Sequence, residues 1–457
     1  MASWNFADMK PKTYAFVGTG NRVRMFLDPA ASTYKKQAKI VAFCDVSQTR
    51  MSWHADRLRN KYGVPPPPFY PANQFSKMIS DIRPDVVVVT TVDSTHDQYI
   101  VESLKANCDV VTEKPMTIDA DRCQNILDAV KTSGRKVRVT FNYRWGPGAT
   151  EVKKLLASGK MGRVRMVNLE YLLNTRHGAD YFRRWHSNKE CSGGLLVHKS
   201  THHFDLANWW IDSIPQDVFA RGALSFYGEA NAKARGDIQW VGFPRYTGRD
   251  NRQDPFAYPL DDPGLSDPEL EQGIYLNAEK ETGYLRDQNV FRSGITIEDT
   301  MGVLVRYRDG TLLNYSLNAF SPYEGYTVSF TCERGRVEYR EFHGSHILGQ
   351  PGDSPLVNEH GSWKAELHVF PHFQNPYLIS IPHAEGGHGG GDPLLQEQIF
   401  SLKPPLDPWG RSAGHEQGAA SILVGAAANR SMESGSPVQI AQLAHLRPEV
   451  QRLSELI

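Results

Sequence analysis

The sequence predicts an α/β chain of two domains, a doubly wound domain with a parallel sheet followed by an α+β domain with an antiparallel sheet. Three observations predict this fold class. Apolar β-branched runs alternate with helical patterns as far as residue 141, and a two-glycine turn ends the first run. The alternation then gives way to successive strands joined by short turns. A length of 457 residues also exceeds what a single hydrophobic core usually serves.

The first domain is predicted to cover residues 13–145, after an N-terminal tail of residues 1–12. Buried parallel strands are predicted at 14–17, 39–44, 85–91, 109–112 and 136–141. Helical spacing is predicted at 48–62, 95–106 and 119–133. The four prolines at 65–68 cannot form regular structure and are interpreted as a stiff connector.

The second domain is predicted to cover residues 146–392, and a C-terminal helical segment, 393–457, is expected to pack on the rest of the chain. After a helix at 149–158, strands are predicted at 162–173, 216–226, 301–307, 311–317, 326–332 and 336–339. Asp309-Gly310 is a hairpin turn signal between two of them. Turns this short favour antiparallel pairing.

Residues 228–292 form a long insertion in the second domain. A plain loop of that length is uncommon. Its aromatic residues argue against disorder and favour an ordered cover or interface element over a mobile lid. These residues are Trp240, Phe243, Tyr246, Phe256 and Tyr258. The later glycine-rich run, 386–391, is expected not to form regular structure; it either links the last helices or brings the backbone close to a ligand or to the first domain.

The charge balance is even, with 51 Lys plus Arg and 51 Asp plus Glu, which removes a global electrostatic argument for nucleic acid or an anionic membrane as partner. The five cysteines are scattered and form no Cys-x-x-Cys pair, so no disulfide framework or structural zinc site is predicted. No signal-peptide core and no run of 18 apolar residues is found in the sequence. A cytoplasmic protein with a small, uncharged ligand is expected.

A dinucleotide-phosphate site is predicted at Gly18 and Gly20, where the first strand ends. Gly18 allows a tight turn, and Gly20 has no Cβ to keep a pyrophosphate away from the backbone. The N–H groups that follow, from Asn21 and Arg22 onward, are expected to face the anion. Val23 fills the third small position of the glycine fingerprint, so the motif is incomplete.

Asp45 ends the second predicted strand, 27 residues after Gly18, roughly where an acidic side chain meets the ribose hydroxyls of a dinucleotide. A carboxylate there can accept hydrogen bonds from both hydroxyls but repels a 2′-phosphate. NAD is therefore predicted as the cofactor, with NADP less favoured. Arg50 is a nearby residue that could take a phosphate instead.

Polar side chains follow three more strands, and the carboxyl ends of parallel strands meet at one rim of the sheet. These side chains are Thr91, Asp93 and His96 at the end of and after the strand at 85–91, Glu113 and Lys114 after the strand at 109–112, and Tyr143, Arg144 and Trp145 after the strand at 136–141. Pro115 restricts the backbone next to Lys114, which suits a lysine that addresses a substrate hydroxyl. Without the neighbouring features, Lys114 is better interpreted as a surface lysine beside a turn.

Several of these motifs occur together with a later group in the second domain. They are Gly18-Thr19-Gly20, Asp45, Glu113-Lys114-Pro115, Gly193-Gly194, His202 and Asp205. Their order resembles the glucose-fructose oxidoreductase and inositol dehydrogenase (Gfo/Idh/MocA) family over most of the chain. The resemblance implies a Rossmann domain, a second domain with a large open antiparallel sheet, and oxidation of a ring hydroxyl of a sugar or cyclitol with NAD or NADP. It also implies a homo-dimer or homo-tetramer.

The resemblance implies that Lys114 is the catalytic lysine and His202 the catalytic-site histidine of the second domain. Residues predicted to bind substrate are His198, Lys199, Tyr143 and Arg144. Residues predicted to bind the cofactor are Gly18, Gly20, Asn21, Arg22, Asp45, Arg50, Thr91, His96, Glu113, Lys114 and Trp145.

Two positions depart from the family pattern. His198 replaces the usual acidic residue four before His202, and Val92-Asp93 replaces a common proline and asparagine. An imidazole can donate, accept or titrate near neutral pH, whereas a carboxylate would only accept. His198 and His202 also have a spacing that could bind zinc on a helix, with Asp205 nearby, but no glutamate follows His198, and no metal is predicted.

The sequence therefore predicts an NAD-dependent dehydrogenase that oxidises a ring hydroxyl of a sugar, sugar derivative or cyclitol. One alternative is a redox-neutral glycosidase that uses NAD transiently, through oxidation, elimination, hydration and reduction. A lower alternative is a non-catalytic regulator that binds the cofactor or a sugar on the same scaffold.

Overall fold

Two sheets form the framework of the structure, a computed structural model that describes residues 10–249, 253–344, 364–384 and 387–456. Residues 1–9 of the predicted N-terminal tail lie outside the described residues. The strands are β1 (Lys12–Val17), β2 (Ala38–Asp45), β3 (Phe69–Pro71), β4 (Val86–Val89), β5 (Asp109–Thr112), β6 (Val137–Val139), β7 (Val164–Asn174), β8 (Pro215–Ala223), β9 (Thr300–Tyr307), β10 (Leu312–Ser321), β11 (Glu324–Cys332), β12 (Gly335–Gly344), β13 (Lys364–Pro371), β14 (Tyr377–Ile379), β15 (Ala413–Gly414) and β16 (Val438–Gln439).

Helices cover both sheets and carry the connections between strands. They are α1 (Arg24–Ala31), α2 (Gln48–Tyr62), α3 (Phe75–Ile82), α4 (His96–Lys105), α5 (Ala120–Ser133), α6 (Pro147–Ala157), α7 (Thr175–Arg183), α8 (Lys189–Ser192), α9 (Leu195–His198), α10 (Thr201–Ile211), α11 (Glu229–Arg235), α12 (Pro268–Leu270), α13 (Glu279–Thr282), α14 (Gly387–Phe400) and α15 (His415–Ser434). Within the described ranges, no helix combines the length and the apolar character needed to cross a membrane.

The first sheet has seven strands in the order β15-β6-β5-β4-β1-β2-β3. Strands β1 to β6 are parallel to their neighbours, as predicted from the alternating apolar runs, and β15 joins β6 antiparallel. The doubly wound prediction is confirmed. The sequence prediction missed β3, which is short and follows the proline run, and β15, which comes from the distant C-terminal segment.

The second sheet has nine strands in the order β14-β13-β12-β11-β7-β10-β9-β8-β16. Its neighbours are antiparallel except β7 and β10, which pair in parallel. The prediction of an antiparallel sheet is therefore correct apart from this one pair. In β9 buried and exposed residues alternate, so one face of the strand packs on the core and the other stays open.

The C-terminal segment packs against both domains. Helix α15 packs on α5 of the first domain and on α10 and β8 of the second. The glycine run was expected not to form regular structure, and this is wrong, because α14 begins at Gly387; Gly386 lies outside the described residues. A Cβ at Gly391 would lie 2.6 Å from the carbonyl oxygen of Asn142, so the run does bring the backbone close to the first domain.

The described part of the insertion reaches both domains. On the first domain, Asp267 pairs with Arg24 at 2.9 Å. On the second, Arg286 pairs with Asp180 at 2.6 Å. The segment contains α11, α12, α13 and a π-helical turn, Glu271–Leu276. It therefore contacts both domains, and its role as an ordered cover or interface element stays a prediction.

Candidate active site

The glycine turn after β1 has the shape that a phosphate requires. Gly18 has φ +85°, and a Cβ on it would lie 2.6 Å from the carbonyl carbon of Thr90, so only glycine fits there. A Cβ on Gly20 would meet nothing within 4 Å, which leaves open space above its backbone. The turn Asn21–Val23 and α1 follow directly. These residues fit a dinucleotide pyrophosphate, because a ligand can approach the bare backbone and the N–H groups of the next turn.

Asp45 lies at the end of β2, is buried, and binds the glycine turn. Its Oδ2 accepts hydrogen bonds from the backbone N–H and the hydroxyl of Thr19. Its Oδ1 accepts from the backbone N–H of Ser47 at 2.8 Å. Since each carboxylate oxygen has more than one lone pair, these bonds leave acceptor capacity on Asp45.

Arg50 faces the insertion. Its Nε donates to the carbonyl oxygen of Ile274 at 2.9 Å, and its guanidinium carbon lies 5.8 Å from the ring centroid of Tyr275. Arg50, predicted as a cofactor ligand, is thus in contact with the insertion through its guanidinium.

Arg22 and Glu113 link the glycine turn to the end of β5. Arg22 Nε donates to Glu113 Oε1 at 2.7 Å. Glu113 also accepts from the hydroxyl of Thr140 at 3.1 Å and from the backbone N–H of Lys114 at 3.2 Å. The carboxylate therefore orients Arg22 and the start of the Lys114 loop together.

His96 ties two strand-end loops together. Its Nδ1 lies 2.9 Å from the carbonyl oxygen of Pro115, and its Nε2 lies 3.2 Å from that of Thr91. Burial lowers the pKa of His96, so the ring is neutral at pH 7. Thr91 Oγ1 in turn accepts from the Thr95 hydroxyl at 2.8 Å. His96 and Thr91, both predicted to bind cofactor, are thus placed at the rim with contacts to the backbone and to each other's loop.

Lys114 connects the two domains. It follows β5, and its Nζ donates to the backbone carbonyl oxygen of His198 at 3.1 Å. Burial lowers the pKa of Lys114 to about 8, against the opposing attraction of Glu113 and Asp93. The amine can therefore lose its proton close to neutral pH.

Asp93 and His198 form a buried carboxyl–imidazole pair across the domain boundary. Asp93 Oδ2 lies 2.5 Å from His198 Nδ1, and the two residues are 3% and 8% exposed. Burial raises the pKa of Asp93 and lowers that of His198, because an ion pair away from water is less stable than two neutral groups. Such a pair can exchange a proton at the imidazole Nε2 while the proton between the partners shifts.

The structure brings His202, Tyr143 and Lys199 together. The rings of His202 and Tyr143 stack, with centroids 4.1 Å apart and an interplanar angle of 11°. Lys199 Nζ donates to the Tyr143 hydroxyl at 3.1 Å and lies 4.7 Å from the ring centroid of Tyr171. The predicted residues of the second domain therefore meet a residue from the rim of the first.

Behind these residues lies a polar network that sequence reasoning missed. The Tyr171 hydroxyl donates to Glu324 at 3.3 Å and lies 3.2 Å from His343 Nδ1. Glu324 is also 2.9 Å from His177 Nδ1. Burial opposes protonation of His343, but bonds to Glu324 and Glu341 raise its pKa to about 9. No local motif marks these side chains, because they come from β7, α7, β11 and β12.

Asp93 was also missed as a site residue. It was predicted only to follow a strand at the rim and to depart from the family pattern, whereas His198 was predicted to bind substrate. A signal for Asp93 was present in the sequence, because Asp93 and His198 both depart from the family pattern and both belong to segments predicted to form the site.

Arg144, predicted to bind substrate, is buried and paired with an acidic residue of the second domain. Its guanidinium makes a two-fold contact with Asp205, Nε to Oδ2 at 2.7 Å and Nη2 to Oδ1 at 2.6 Å, and its side chain is 0% exposed. Its Nη1 binds Gln417 Oε1 at 2.7 Å. Trp145, predicted to bind cofactor, is 2% exposed, with the Arg411 guanidinium 4.3 Å from its ring centroid. Arg144 and Trp145 are therefore both buried in the core.

Two of the three side chains considered as zinc ligands, His198 and Asp205, are bound to other residues. Both Asp205 oxygens are bound to Arg144, and His198 is bound to Asp93. In the part of the chain that the structure describes, no three His, Cys, Asp or Glu side chains are grouped to hold a metal.

Two family models match the chain. The model described as an oxidoreductase family with an NAD-binding Rossmann fold, GFO_IDH_MocA, matches residues 12–141. The model of the C-terminal alpha/beta domain of the same oxidoreductase family matches residues 153–440.

Individual proteins resemble the chain to different extents. YteT of Bacillus subtilis strain 168, which bears an oxidoreductase name, is 36% identical over 440 residues, 95% of this chain and 99% of YteT. Inositol 2-dehydrogenase of Rubrobacter xylanophilus is 30% identical over 151 residues, 32% of this chain and 39% of that protein.

Solved structures share the fold. Aldose-aldose oxidoreductase of Caulobacter crescentus, complexed with glycerol, has a TM-score of 0.59 at 18% identity and covers 94% of this chain and 100% of its own. The WlbA dehydrogenase of Bordetella pertussis, in complex with NADH and UDP-GlcNAcA, has a TM-score of 0.58 at 16% identity and covers 94% of this chain and 99% of its own.

Proposed function

Because the chain belongs to the Gfo/Idh/MocA oxidoreductase family, we propose that it oxidises a ring hydroxyl of a sugar, sugar derivative or cyclitol with NAD. The observation that carries the proposal is Lys114. It lies at the same rim as the glycine turn, its Nζ bonds the second domain at His198, and burial lowers its pKa to about 8. A lysine in that state is a competent proton acceptor near neutral pH.

The cofactor would be held by the glycine turn and the ends of the neighbouring strands. Gly18 and Gly20 leave room for the pyrophosphate, Asn21 and Arg22 follow in the next turn, and Asp45 lies at the ribose end. Thr91, His96 and Glu113 keep these loops in place through the contacts described above. When bound, the nicotinamide supplies the hydride acceptor for the alcohol carbon.

The chain's own residues handle the alcohol proton. Lys114 takes this proton as the C–H bond breaks, since its amine is neutral above about pH 8. His202 binds the same hydroxyl, and its ring orientation is set by stacking on Tyr143. Lys199 and Tyr143, which are hydrogen-bonded to each other, bind other hydroxyls of the substrate.

His198 addresses the substrate beside Lys114, and Asp93 is its positioning residue. The carboxyl group fixes Nδ1, so the ring can present only Nε2 to the cleft. Among the described residues, His198 Nε2 has no hydrogen-bond partner, which leaves it available to a ligand.

The substrate class rests on the polar character of the site and on the names of its relatives. Lysine, histidine and tyrosine side chains line the junction of the domains, which suits a ligand with many hydroxyls. Relatives include an inositol 2-dehydrogenase and an aldose-aldose oxidoreductase by name. A cytoplasmic location and a dimer or tetramer stay predictions.

The test is a panel of free sugars, sugar acids and cyclitols, mixed with the protein and excess NAD while absorbance of reduced cofactor is followed. Reduced cofactor that accumulates over many turnovers with one member of the panel supports the proposal. Cofactor binding without turnover on any member favours a non-catalytic regulator instead.

A second candidate function is the redox-neutral glycosidase, and the Asp93–His198 pair favours it. Elimination of an aglycone needs a base for the C–H proton next to the new ketone, in addition to the acceptor of the alcohol proton. Lys114 and the pair supply two such groups in one site. Aryl glycosides with catalytic NAD separate the two functions: aglycone released over many turnovers without net NAD reduction identifies the glycosidase.

A further inference from the structure

Glu281 of the insertion binds the start of helix α2. Its Oε1 accepts from the Thr49 hydroxyl at 2.7 Å, and its Oε2 accepts from the Thr49 backbone N–H at 3.1 Å. Its Oε2 also accepts from the Ser47 hydroxyl. These bonds lower the pKa of Glu281, the Ser47 bond foremost, so the side chain is a carboxylate at neutral pH.

The three donors lie at the ribose end of the predicted cofactor site. Ser47 is the N-cap of α2 and follows Asp45 by two residues. Unpaired N–H groups at a helix start, together with nearby hydroxyls, favour an anion. In a dinucleotide site of this fold, that position after β2 is where a 2′-phosphate on the ribose would meet the protein. Here a carboxylate of the same chain already fills it.

Other contacts hold the insertion in this position. Gly273 packs so tightly on Trp53 of α2 that a Cβ would lie 2.4 Å from the indole nitrogen. Arg50 of α2 donates to the carbonyl oxygen of Ile274, and Arg24 of α1 pairs with Asp267. Glu281 is thus placed by a segment anchored at several points, although its own side chain is exposed.

We propose that Glu281 is a cofactor-specificity residue, which occupies the donors that a 2′-phosphate would need and so makes the chain select NAD over NADP. The inference rests on the proposed function, because it assumes a dinucleotide in this site. NADP would have to displace Glu281 from three hydrogen bonds and place its phosphate near two carboxylates, Glu281 and Asp45. NAD carries a hydroxyl at that position, so it needs neither to displace Glu281 nor to place a phosphate near the two carboxylates.

The experiment measures the dissociation constants of NAD and NADP by isothermal titration calorimetry. The proteins are the full chain, Glu281→Gln, Glu281→Lys and the control Glu279→Gln. Glu279 lies on the same helix, but its carboxylate pairs with Arg245 of the insertion at 2.7 Å. It therefore matches the charge and location of Glu281 without touching α2.

We expect the unmodified chain to bind NAD more tightly than NADP. Glu281→Gln should tighten NADP binding by about tenfold or more and change NAD binding by less than about threefold, because a repulsive charge is lost. Glu281→Lys should tighten NADP binding further. Glu279→Gln should leave the ratio of the NADP and NAD dissociation constants unchanged.

Three results would overturn the inference. If the ratio of the NADP and NAD dissociation constants is the same in the unmodified chain and in Glu281→Gln, then Glu281 does not determine specificity. If Glu279→Gln changes this ratio as much as Glu281→Gln does, then the effect comes from the total charge of the insertion. In both cases the chain still binds a dinucleotide, and the proposed function stands. Failure of the unmodified chain to bind either dinucleotide rejects both the inference and the proposed function.

Discussion

Asp93 of the first domain and His198 of the second are hydrogen-bonded to each other, Oδ2 to Nδ1, at 2.5 Å. Both stand where the sequence departs from the pattern of its family. An imidazole stands four residues before His202, where the pattern has an acidic group, and Asp93 in the loop after β4 supplies a carboxyl group that binds this imidazole. The two departures therefore meet in one contact.

The contact predicts that Asp93→Asn lowers turnover about tenfold to a hundredfold, an effect typical of a lost orienting partner. Because both groups of the buried pair are neutral, an amide in place of the carboxyl group can no longer exchange the proton that lies between the partners. Turnover of Asp93→Asn, His198→Gln and the double variant checks this. Additive losses in the double variant would contradict the pairing.

Lys114→Met should keep NAD affinity and lose on the order of 10² to 10⁴ in turnover, because the lysine acts on the substrate hydroxyl. In the unmodified enzyme, the rate of alcohol oxidation should rise with pH through about 8, since the amine must be neutral to accept the proton. His202→Ala should behave in the same way as Lys114→Met. Calorimetry for NAD and initial rates on the identified substrate measure both; near-normal turnover of either variant removes that residue from the mechanism.

The two glycines of the turn should respond differently to alanine. Gly18→Ala should destabilise the fold, because its φ is +85° and the new Cβ would lie 2.6 Å from Thr90. Gly20→Ala should melt like the unmodified chain, since a Cβ there meets nothing within 4 Å, but it should bind NAD more weakly because the methyl group enters the phosphate space. Thermal melts and NAD titration test the pair. Unchanged NAD affinity in Gly20→Ala would place the phosphate elsewhere.

His343 should make stability fall as pH rises from about 6.5 to about 9. Its pKa in the folded chain is about 9, above the unfolded value near 6.5, so its stabilising charge is fully present below 6.5 and is lost through 9. The difference amounts to at most about 3 kcal/mol. Denaturant unfolding at several pH values should show this decline in the unmodified chain and a weaker one in His343→Gln. Parallel curves for the two proteins would show that the contacts with Glu324 and Glu341 do not hold the proton.

Asp205→Ala should destabilise the chain by about 3 to 5 kcal/mol, because it leaves the fully buried Arg144 without its counter-charge. Replacing both residues by apolar ones, Arg144→Met with Asp205→Leu, should cost less than Asp205→Ala alone. Unfolding by urea gives both values. If Asp205→Ala instead loses activity without losing stability, the Arg144–Asp205 pair has a role in the active site.

The sequence by itself determined most of the secondary structure and the position of the chemistry along the chain. Helix α2 has the predicted bounds, and α5 begins one residue after the predicted start, Asp119, whose side chain caps the helix by accepting from the Arg122 backbone N–H. Gly18, Asp45 and Lys114 were placed at the ends of strands because turns and strand ends are marked by short-range signals. The parallel pair of β7 and β10 was missed because register between distant strands has no local signal.

Only the tertiary structure decided which side chains meet. Asp93 and His198 are 105 residues apart, and Ser47 and Glu281 are 234 apart. It also buried Arg144 beside Asp205, because a buried arginine needs a counter-charge. The type and spacing of a residue limit its chemistry. Which residue it contacts depends on how distant parts of the chain come together in the fold, and composition and periodicity do not encode this.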